Sequence, residues 1–190
     1  YVVLKKYCDR NILADIRKKD IVKPRISKHM AKITDLGILK QLINEIYNYN
    51  GNHNIKNALK LVLHIPLRAE NLCNLKWNQI NFEKKILTIP RENMKLSNIN
   101  LDDFVMPLTD EVIKILKEHK DMQLFSIKPK EYVFLGFNNR QAINKESPNR
   151  ALFRLCFNDE KKGTKIRLHG YRGTFRSLID TLDTKTRFSY

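Results

Sequence analysis

A change in the spacing of apolar residues constrains the fold of this chain more than any other feature. Between residues 34 and 64, apolar side chains recur at helical intervals, whereas residues 80–90, INFEKKILTIP, place charged residues between two apolar runs, as a β-hairpin does. Helical spacing returns in segments after residue 109. The pattern predicts a mostly helical α+β domain with a small antiparallel three-stranded sheet inserted after the third helix.

Capping residues, glycine and proline set the ends of the predicted elements. Thr34 or Asp35 can cap the first helix, Gly51 ends it and Pro66 ends the second. Helices are predicted over residues 35–50, 55–64, 109–119 and 147–157, with a short helix ending at residue 77 and a last helix that begins at residue 169. A hairpin turn is predicted at 83–84, a strand over 104–108, and a strand or loop over 132–137.

A domain boundary is predicted near residue 30. The stretch KPRISKHMAKI, residues 23–33, contains a helix-breaking proline and only positive charges, which is typical of a linker. We therefore expect residues 1–29 to be the end of a preceding domain with its basic linker, and residues 30–190 to be a second domain. The chain begins with Tyr1 instead of Met, so we also expect a piece of a longer protein.

The charge of the chain predicts a polyanionic partner. Lysine and arginine number 36 against 20 aspartate and glutamate, which gives a net charge of +16. The excess is concentrated in residues 1–33 and in residues 161–176, and the second segment contains no acidic residue. Nucleic acid is the simplest partner for such a surface, and a basic protein with no such partner is the alternative.

Cysteine usage and hydropathy point to the cytoplasm. Cys8, Cys73 and Cys156 lie far apart, and no CxxC or Cys/His cluster suggests zinc, so we expect free thiols in a reducing compartment. No apolar run approaches the length of a membrane-spanning helix.

Two short stretches could handle a phosphate. His169 and Arg172 are three residues apart near the start of a predicted helix, so both can face one ligand. Arg68 follows an apolar helix and a proline. Guanidinium groups bind phosphate oxygens bidentately, and imidazole can move a proton. Each stretch taken singly has a simpler interpretation. Arg68 could be an ordinary surface residue, and His169 could be a capping residue at the start of a helix, with Arg172 exposed to solvent.

Three ordered segments resemble the tyrosine recombinase, or phage integrase, family. They are LVLHIPLRAENLCNLKWNQINFEKKILTIPRENMK, VMPLTDEVIKIL and LHGYRGTFRSLID, and the resemblance spans roughly residues 30–182. The segments TIPRENMK and HGYRGT are most similar to integrases of genomic islands and P4-like phages. The resemblance implies the tyrosine recombinase catalytic fold, a core-binding domain ending within residues 1–29, and DNA integration or recombination as the activity.

The resemblance also implies a role for each matching residue. Arg68 and Arg172 would bind the scissile phosphate, Lys95 would protonate the leaving 5′ oxygen, and His169 would assist proton transfer. Lys84 and Lys85 are alternatives to Lys95. A tyrosine would attack the phosphodiester to form a 3′-phosphotyrosyl intermediate, with no metal, ATP or other cofactor.

The family pattern places the nucleophilic tyrosine well after the HxxR motif. Tyr190 is too close to Arg172 for that pattern, and Tyr171 is expected to pack in the core, so we expect the nucleophile to lie beyond residue 190 and this chain to bind DNA without cleaving it. A further departure lies three residues after Arg68, where the family often has an acid and this chain has Asn71, with Glu70 one position earlier.

The expected partner is double-stranded DNA at attachment sites, with no membrane. The resemblance implies a tetramer of the full-length protein on DNA, and we expect a monomer from this chain. Candidate phosphate contacts that would position the protein without reading sequence are Lys5, Lys6, Arg10, Arg17, Lys18, Lys19, Lys165 and Arg167. For the residues of the N-terminal segment, a solvated basic face is an equal alternative.

Two other functions compete with the recombinase. One is a non-catalytic basic DNA-binding module, such as a regulator or a decayed integrase, and the other is a metal-dependent nuclease, which would need clustered carboxylates near the three segments. Convergence of Arg68, Lys95, His169 and Arg172 would favour the recombinase, because a plain DNA-binding module has no reason to gather them. The two arginines and the histidine are expected in one concavity, and Lys95 can lie further out.

Overall fold

The structure is a computed structural model that describes residues 30–94, 101–123 and 130–187, with side chains described to residue 182. The described residues form six α-helices and one small sheet. In chain order these are α1 Leu36–Tyr47, α2 His53–His64, α3 Ala69–Cys73, β1 Ile80–Asn81, β2 Ile86–Ile89, β3 Phe104–Pro107, α4 Asp110–Gln123, α5 Glu146–Arg154 and α6 Gly170–Arg187, with 3₁₀ turns at Trp77–Gln79 and Arg91–Asn93. The predicted α+β class is confirmed.

The first two helices form as their caps dictate. The Asp35 carboxylate accepts a hydrogen bond from the Ile38 amide at 2.8 Å and starts α1, which ends at Tyr47, three residues before the predicted end. The Asn52 side chain accepts from the amides of Asn54 and Ile55, so α2 begins at His53, two residues earlier than predicted. Both helices pack an apolar face into the core.

The predicted short helix ending at Trp77 is wrong at its C-terminal end. Helix α3 stops at Cys73, and Leu75 is buried in extended chain instead. The Leu75 carbonyl accepts from the Val133 amide at 2.8 Å, and the Trp77 amide donates to the Glu131 carbonyl at 3.0 Å. Leu75 is therefore buried through pairing with a distant segment, and its apolar character does not reflect helical spacing.

The three strands form the predicted antiparallel sheet in the order β1-β2-β3. Ile80 pairs with Leu87, and Thr88 pairs with Val105. At the predicted turn, the Asn81 side chain accepts from the Lys84 amide, and Lys85 adopts a positive φ of 51°.

The remaining elements differ from prediction mainly in their ends. Helix α4 runs four residues beyond the predicted His119, to Gln123. Residues 132–137 form isolated bridges and no continuous strand, although Val133, Phe134 and Leu135 are buried. Helix α5 ends at Arg154, three residues before the predicted end, because Cys156 takes a positive φ of 65°, and Phe157 is buried from the turn that follows.

The hydrophobic core receives side chains from all six described helices, and one buried polar cluster lies within it. Phe134, Leu152 and Tyr171 are among its largest fully buried side chains. His119 is also completely buried and bonds to Asn57 and to the Val133 carbonyl. Within the described ranges, no helix is both long and apolar enough to cross a membrane. The predicted domain of residues 1–29 lies outside the described residues.

Candidate phosphate-binding site

His169 and Arg172 flank a buried tyrosine at the start of α6. His169 is the residue just before the helix, Arg172 lies in its first turn, and both side chains are exposed. Tyr171 between them is 1% exposed and packs in the core, as predicted. Burial raises the pKa of Tyr171, whose hydroxyl has no hydrogen-bond partner among the described residues. The buried tyrosine fixes the rotation of the helix and thereby turns Arg172 outward.

Arg68 stands where a buried extended segment turns into helix α3. Ile65 and Leu67 before it are 3% exposed, and Arg68 is the N-cap of α3, with φ −66° and ψ 145°. Its side chain makes no capping hydrogen bond, so the half-buried guanidinium is free to face a ligand. The buried residues before it hold its backbone in place.

The structure brings Arg68, His169 and Arg172 together around one cavity of about 1020 Å³. The pKa of Arg172 is lowered, first by partial burial and then by the positive charge of Arg68. Two guanidinium groups that repel each other in one concavity favour an anion between them. The convergence expected from the sequence is therefore present for these three residues.

The rest of the cavity wall is polar and of mixed charge. The other lining residues with charged side chains are Lys76, Lys145, Arg167, Glu70, Glu92 and Glu146. Lys76 forms an ion pair with Glu131 at 2.7 Å, whereas Lys145 and Arg167 form no ion pair with any described residue. Together with Arg68 and Arg172, the free cations give the cavity an electrostatic preference for a phosphate backbone.

Two asparagines support the cavity wall. The Asn149 side chain on α5 accepts a hydrogen bond from the Leu168 amide at 3.0 Å and holds the residue that precedes His169. The Asn71 side chain on α3 donates to the Met94 sulfur at 3.2 Å. Asn71 thus joins the helix after Arg68 to Met94, the described residue that precedes Lys95.

Lys95 itself lies outside the described residues. Its neighbour Met94 lines the cavity, and the Arg91 amide donates to the Asp103 carboxylate at 2.9 Å, which links the two described ends of this connection. The alternatives Lys84 and Lys85 are exposed and do not line the cavity, and Lys85 is paired with Asp110.

The other predicted DNA contacts divide into three groups. Arg167 lines the cavity, whereas Lys165 does not and is paired with Glu160 at 2.8 Å. The remaining candidates lie outside the described residues: Lys5, Lys6, Arg10, Arg17, Lys18 and Lys19.

Sequence reasoning missed several residues of the wall, including Lys145, Asn149 and Met30. Lys145 and Asn149 are four residues apart at the start of a helix, which puts them on one face, but nothing in their sequence context distinguishes that face from any solvated one. In the part of the chain that the structure describes, no group of three His, Cys, Asp or Glu side chains is placed to hold a metal ion.

Comparison with known proteins finds similarity to integrases. The family model described as the phage integrase family matches residues 37–179. The integrase of Shigella phage Sf6 is 26% identical over 125 residues, which cover 65% of this chain and 29% of that protein. The prophage integrase IntS of Escherichia coli strain K12 gives the same identity and coverage. The chain therefore spans about a third of the length of these curated relatives.

Solved structures show the same fold. The Tn1549 transposon integrase in complex with transposon right end DNA has a TM-score of 0.62 at 16% identity, covering 92% of this chain and 60% of that one. XerA recombinase has a TM-score of 0.57 at 20% identity, covering 82% and 52%.

Proposed function

Because this chain belongs to the phage integrase family, we propose that it is the catalytic domain of a site-specific DNA recombinase and that its cavity binds the scissile phosphodiester of duplex DNA. The observation that carries the proposal is the placement of Arg68, His169 and Arg172 around one cavity. These residues come from segments about 100 positions apart in the sequence, and a phosphodiester is the ligand that suits all three.

The chemistry follows from the properties of the three side chains. Arg68 and Arg172 bind the non-bridging oxygens and stabilise the extra negative charge that develops in the pentacoordinate transition state. His169 donates a hydrogen bond to the phosphate and assists proton transfer in the reaction. Lys95 is the proposed acid for the leaving 5′ oxygen, on the strength of the sequence pattern and of Met94 in the cavity wall.

The nucleophile of the proposed reaction is a tyrosine that attacks phosphorus and leaves a 3′-phosphotyrosyl bond, so the displaced 5′ hydroxyl can later reverse the step. Tyr171 cannot serve, since it is buried in the core. The proposed assembly is a tetramer of the full-length recombinase on paired DNA sites, and the proposed subtype is the integrase of a genomic island or P4-like phage.

The test is a comparison of duplex binding by matched charge-removing variants. Arg68→Gln and Arg172→Gln each remove one cation from the cavity, and Lys117→Gln removes an exposed cation of α4 that does not line it. The affinity of each protein for a short duplex is measured by fluorescence anisotropy at several salt concentrations.

The proposal predicts that the unmodified chain binds the duplex with an affinity that falls steeply as salt rises. Each cavity variant should bind roughly five- to tenfold more weakly, with a salt slope shallower by about one unit, and the Lys117 variant should bind within about twofold of the unmodified chain. Equal affinities for the three variants would remove the cavity from the DNA interface, and salt-independent binding would contradict the proposal as a whole.

A further inference from the structure

Residues 30–33 form a short segment, the strap, that lies across the first turns of α6. The strap consists of Met30, Ala31, Lys32 and Ile33, and it connects the basic N-terminal segment to α1. It belongs to no helix or strand, and its contacts on α6 are about 140 positions away in the sequence. Its contacts fall on the first two turns of α6, and Arg172 lies in the first of these turns.

One strap contact is a buried hydrogen bond. The Ile33 amide donates to the Thr174 hydroxyl oxygen at 3.1 Å. Ile33 is 1% exposed and Thr174 is 2% exposed, so water cannot replace either partner. A buried amide that loses its acceptor keeps its full desolvation cost, which makes this bond specific to a residue with a hydroxyl at position 174.

A second contact requires glycine at the first residue of α6. A Cβ added to Gly170 would lie 2.3 Å from the Ala31 carbonyl oxygen, which is far inside the closest approach of two such atoms. The absence of a side chain at position 170 therefore allows the strap backbone to lie directly on the helix. By contrast, a Cβ added to Gly173 would make only ordinary contacts, 3.5 Å from the Lys32 side chain.

A third contact lies one turn further along α6, and the strap also reaches the cavity. The Lys32 ammonium donates to the Ser177 hydroxyl at 2.7 Å. At the other end, Met30 is part of the cavity wall together with Arg68, His169 and Arg172. The strap thus touches α6 before and after Arg172 and ends in the concavity that Arg172 faces.

We propose that the strap positions Arg172 for phosphate binding, with Thr174 as the positioning residue, so that strap docking and DNA binding strengthen each other. The proposal rests on the proposed function of the cavity. Thr174 touches no ligand and acts through the rotation and placement of the first turns of α6. By linkage, the factor by which a docked strap raises DNA affinity is the factor by which bound DNA stabilises the docked strap.

The first test is a set of substitutions on α6. Thr174→Val keeps the shape of the side chain and removes the acceptor, Thr174→Ser restores the hydroxyl, and Gly173→Ala is a matched change on the same helix that leaves the strap contact intact. Duplex affinity is measured for each, and for Thr174→Val combined with Arg172→Gln. Urea unfolding of every variant shows whether it folds cooperatively.

We expect Thr174→Val to weaken duplex binding about fivefold. The Thr174→Ser and Gly173→Ala variants should bind within about twofold of the unmodified chain. Thr174→Val should have little effect on affinity once Arg172 is replaced, since the effects of residues that act through one another are not additive. A loss of affinity that is the same with and without Arg172 would overturn the proposal, because a general structural effect would not depend on Arg172. Unchanged binding by Thr174→Val would also overturn it.

The second test needs no variant and applies even if Thr174→Val fails to fold. Amide hydrogen exchange of Ile33 is measured with and without saturating duplex, relative to that of Leu135, whose buried amide donates to Asn54 at 2.9 Å outside the strap. We expect bound DNA to slow exchange at Ile33 about fivefold more than at Leu135. Equal slowing at both amides would overturn the strap proposal alone, whereas absence of duplex binding would overturn the proposed function and the strap proposal with it.

Discussion

The buried histidine of α4 should make this fold sensitive to acid. His119 is completely buried, its Nδ1 accepts a hydrogen bond from the Asn57 amide group at 2.8 Å, and its Nε2 donates to the Val133 carbonyl at 2.7 Å. This arrangement fits the neutral ring only. The ring of His53 lies beside it, with ring centroids 5.8 Å apart.

The magnitude follows from the difference between the two protonation equilibria. Burial, with a smaller contribution from the charge of His53, lowers the pKa of His119 from 6.5 to about 4, although the hydrogen bond to the Val133 carbonyl acts in the opposite direction. The unfolded chain therefore binds a proton at a pH where the folded chain does not, so stability is fully present above pH 6.5 and is lost as the pH falls towards the folded pKa. Between pH values of about 7.5 and 4.5 the expected loss is about 2.5 kcal/mol.

The assay is urea unfolding of the unmodified chain and of His119→Gln at those two pH values. Gln at position 119 keeps a polar group and does not titrate, so the variant should be less stable at neutral pH, and its stability should fall by less on acidification. An equal fall in both proteins would show that carboxylates, and not His119, govern the acid sensitivity. Unchanged stability of the unmodified chain would refute the argument.

Three further predictions concern single side chains. Asp35→Ala should lower the free energy of unfolding by about 1 kcal/mol, measured by urea denaturation, because it removes the cap of α1. Leu152→Ala should cost about 3 kcal/mol in the same assay, while its exposed neighbour Phe153→Ala should change stability by less than about 0.5 kcal/mol. Iodoacetamide should label exposed Cys156 in the native state and Cys73 only in denaturant, as peptide mass mapping would show, since burial raises the pKa of Cys73 to about 12.

The sequence predicted the elements whose boundaries depend on local interactions. Asp35 and the apolar spacing behind it were sufficient for α1, and the polar turn at Lys84 was sufficient for the hairpin. The apolar pattern predicts helix at Leu75 and at Phe157, yet the structure buries both outside helices. Their burial depends on distant segments, and periodicity carries no information about such pairing.

The candidate site also combines residues that the sequence predicts with residues that it does not. Arg68, His169 and Arg172 could be named from ordered motifs, and the fold brings them to one cavity. The residues that support them could not be named from the sequence, because their roles depend on contacts between segments that are distant in the sequence. The Asn149 side chain accepts a hydrogen bond from the Leu168 amide, and the strap lies on α6. The strap is the end of the stretch 23–33, whose positive charges and proline predict a linker, but composition does not reveal where such a segment docks.

The most direct test of the central claim is a crystal structure of this chain bound to duplex DNA. We expect the guanidinium groups of Arg68 and Arg172 both to lie within about 3.2 Å of non-bridging oxygens of a single phosphate, with the His169 ring at hydrogen-bond distance from the same group. Two arginines bound to different phosphates, or a duplex seated on another face of the domain, would contradict it.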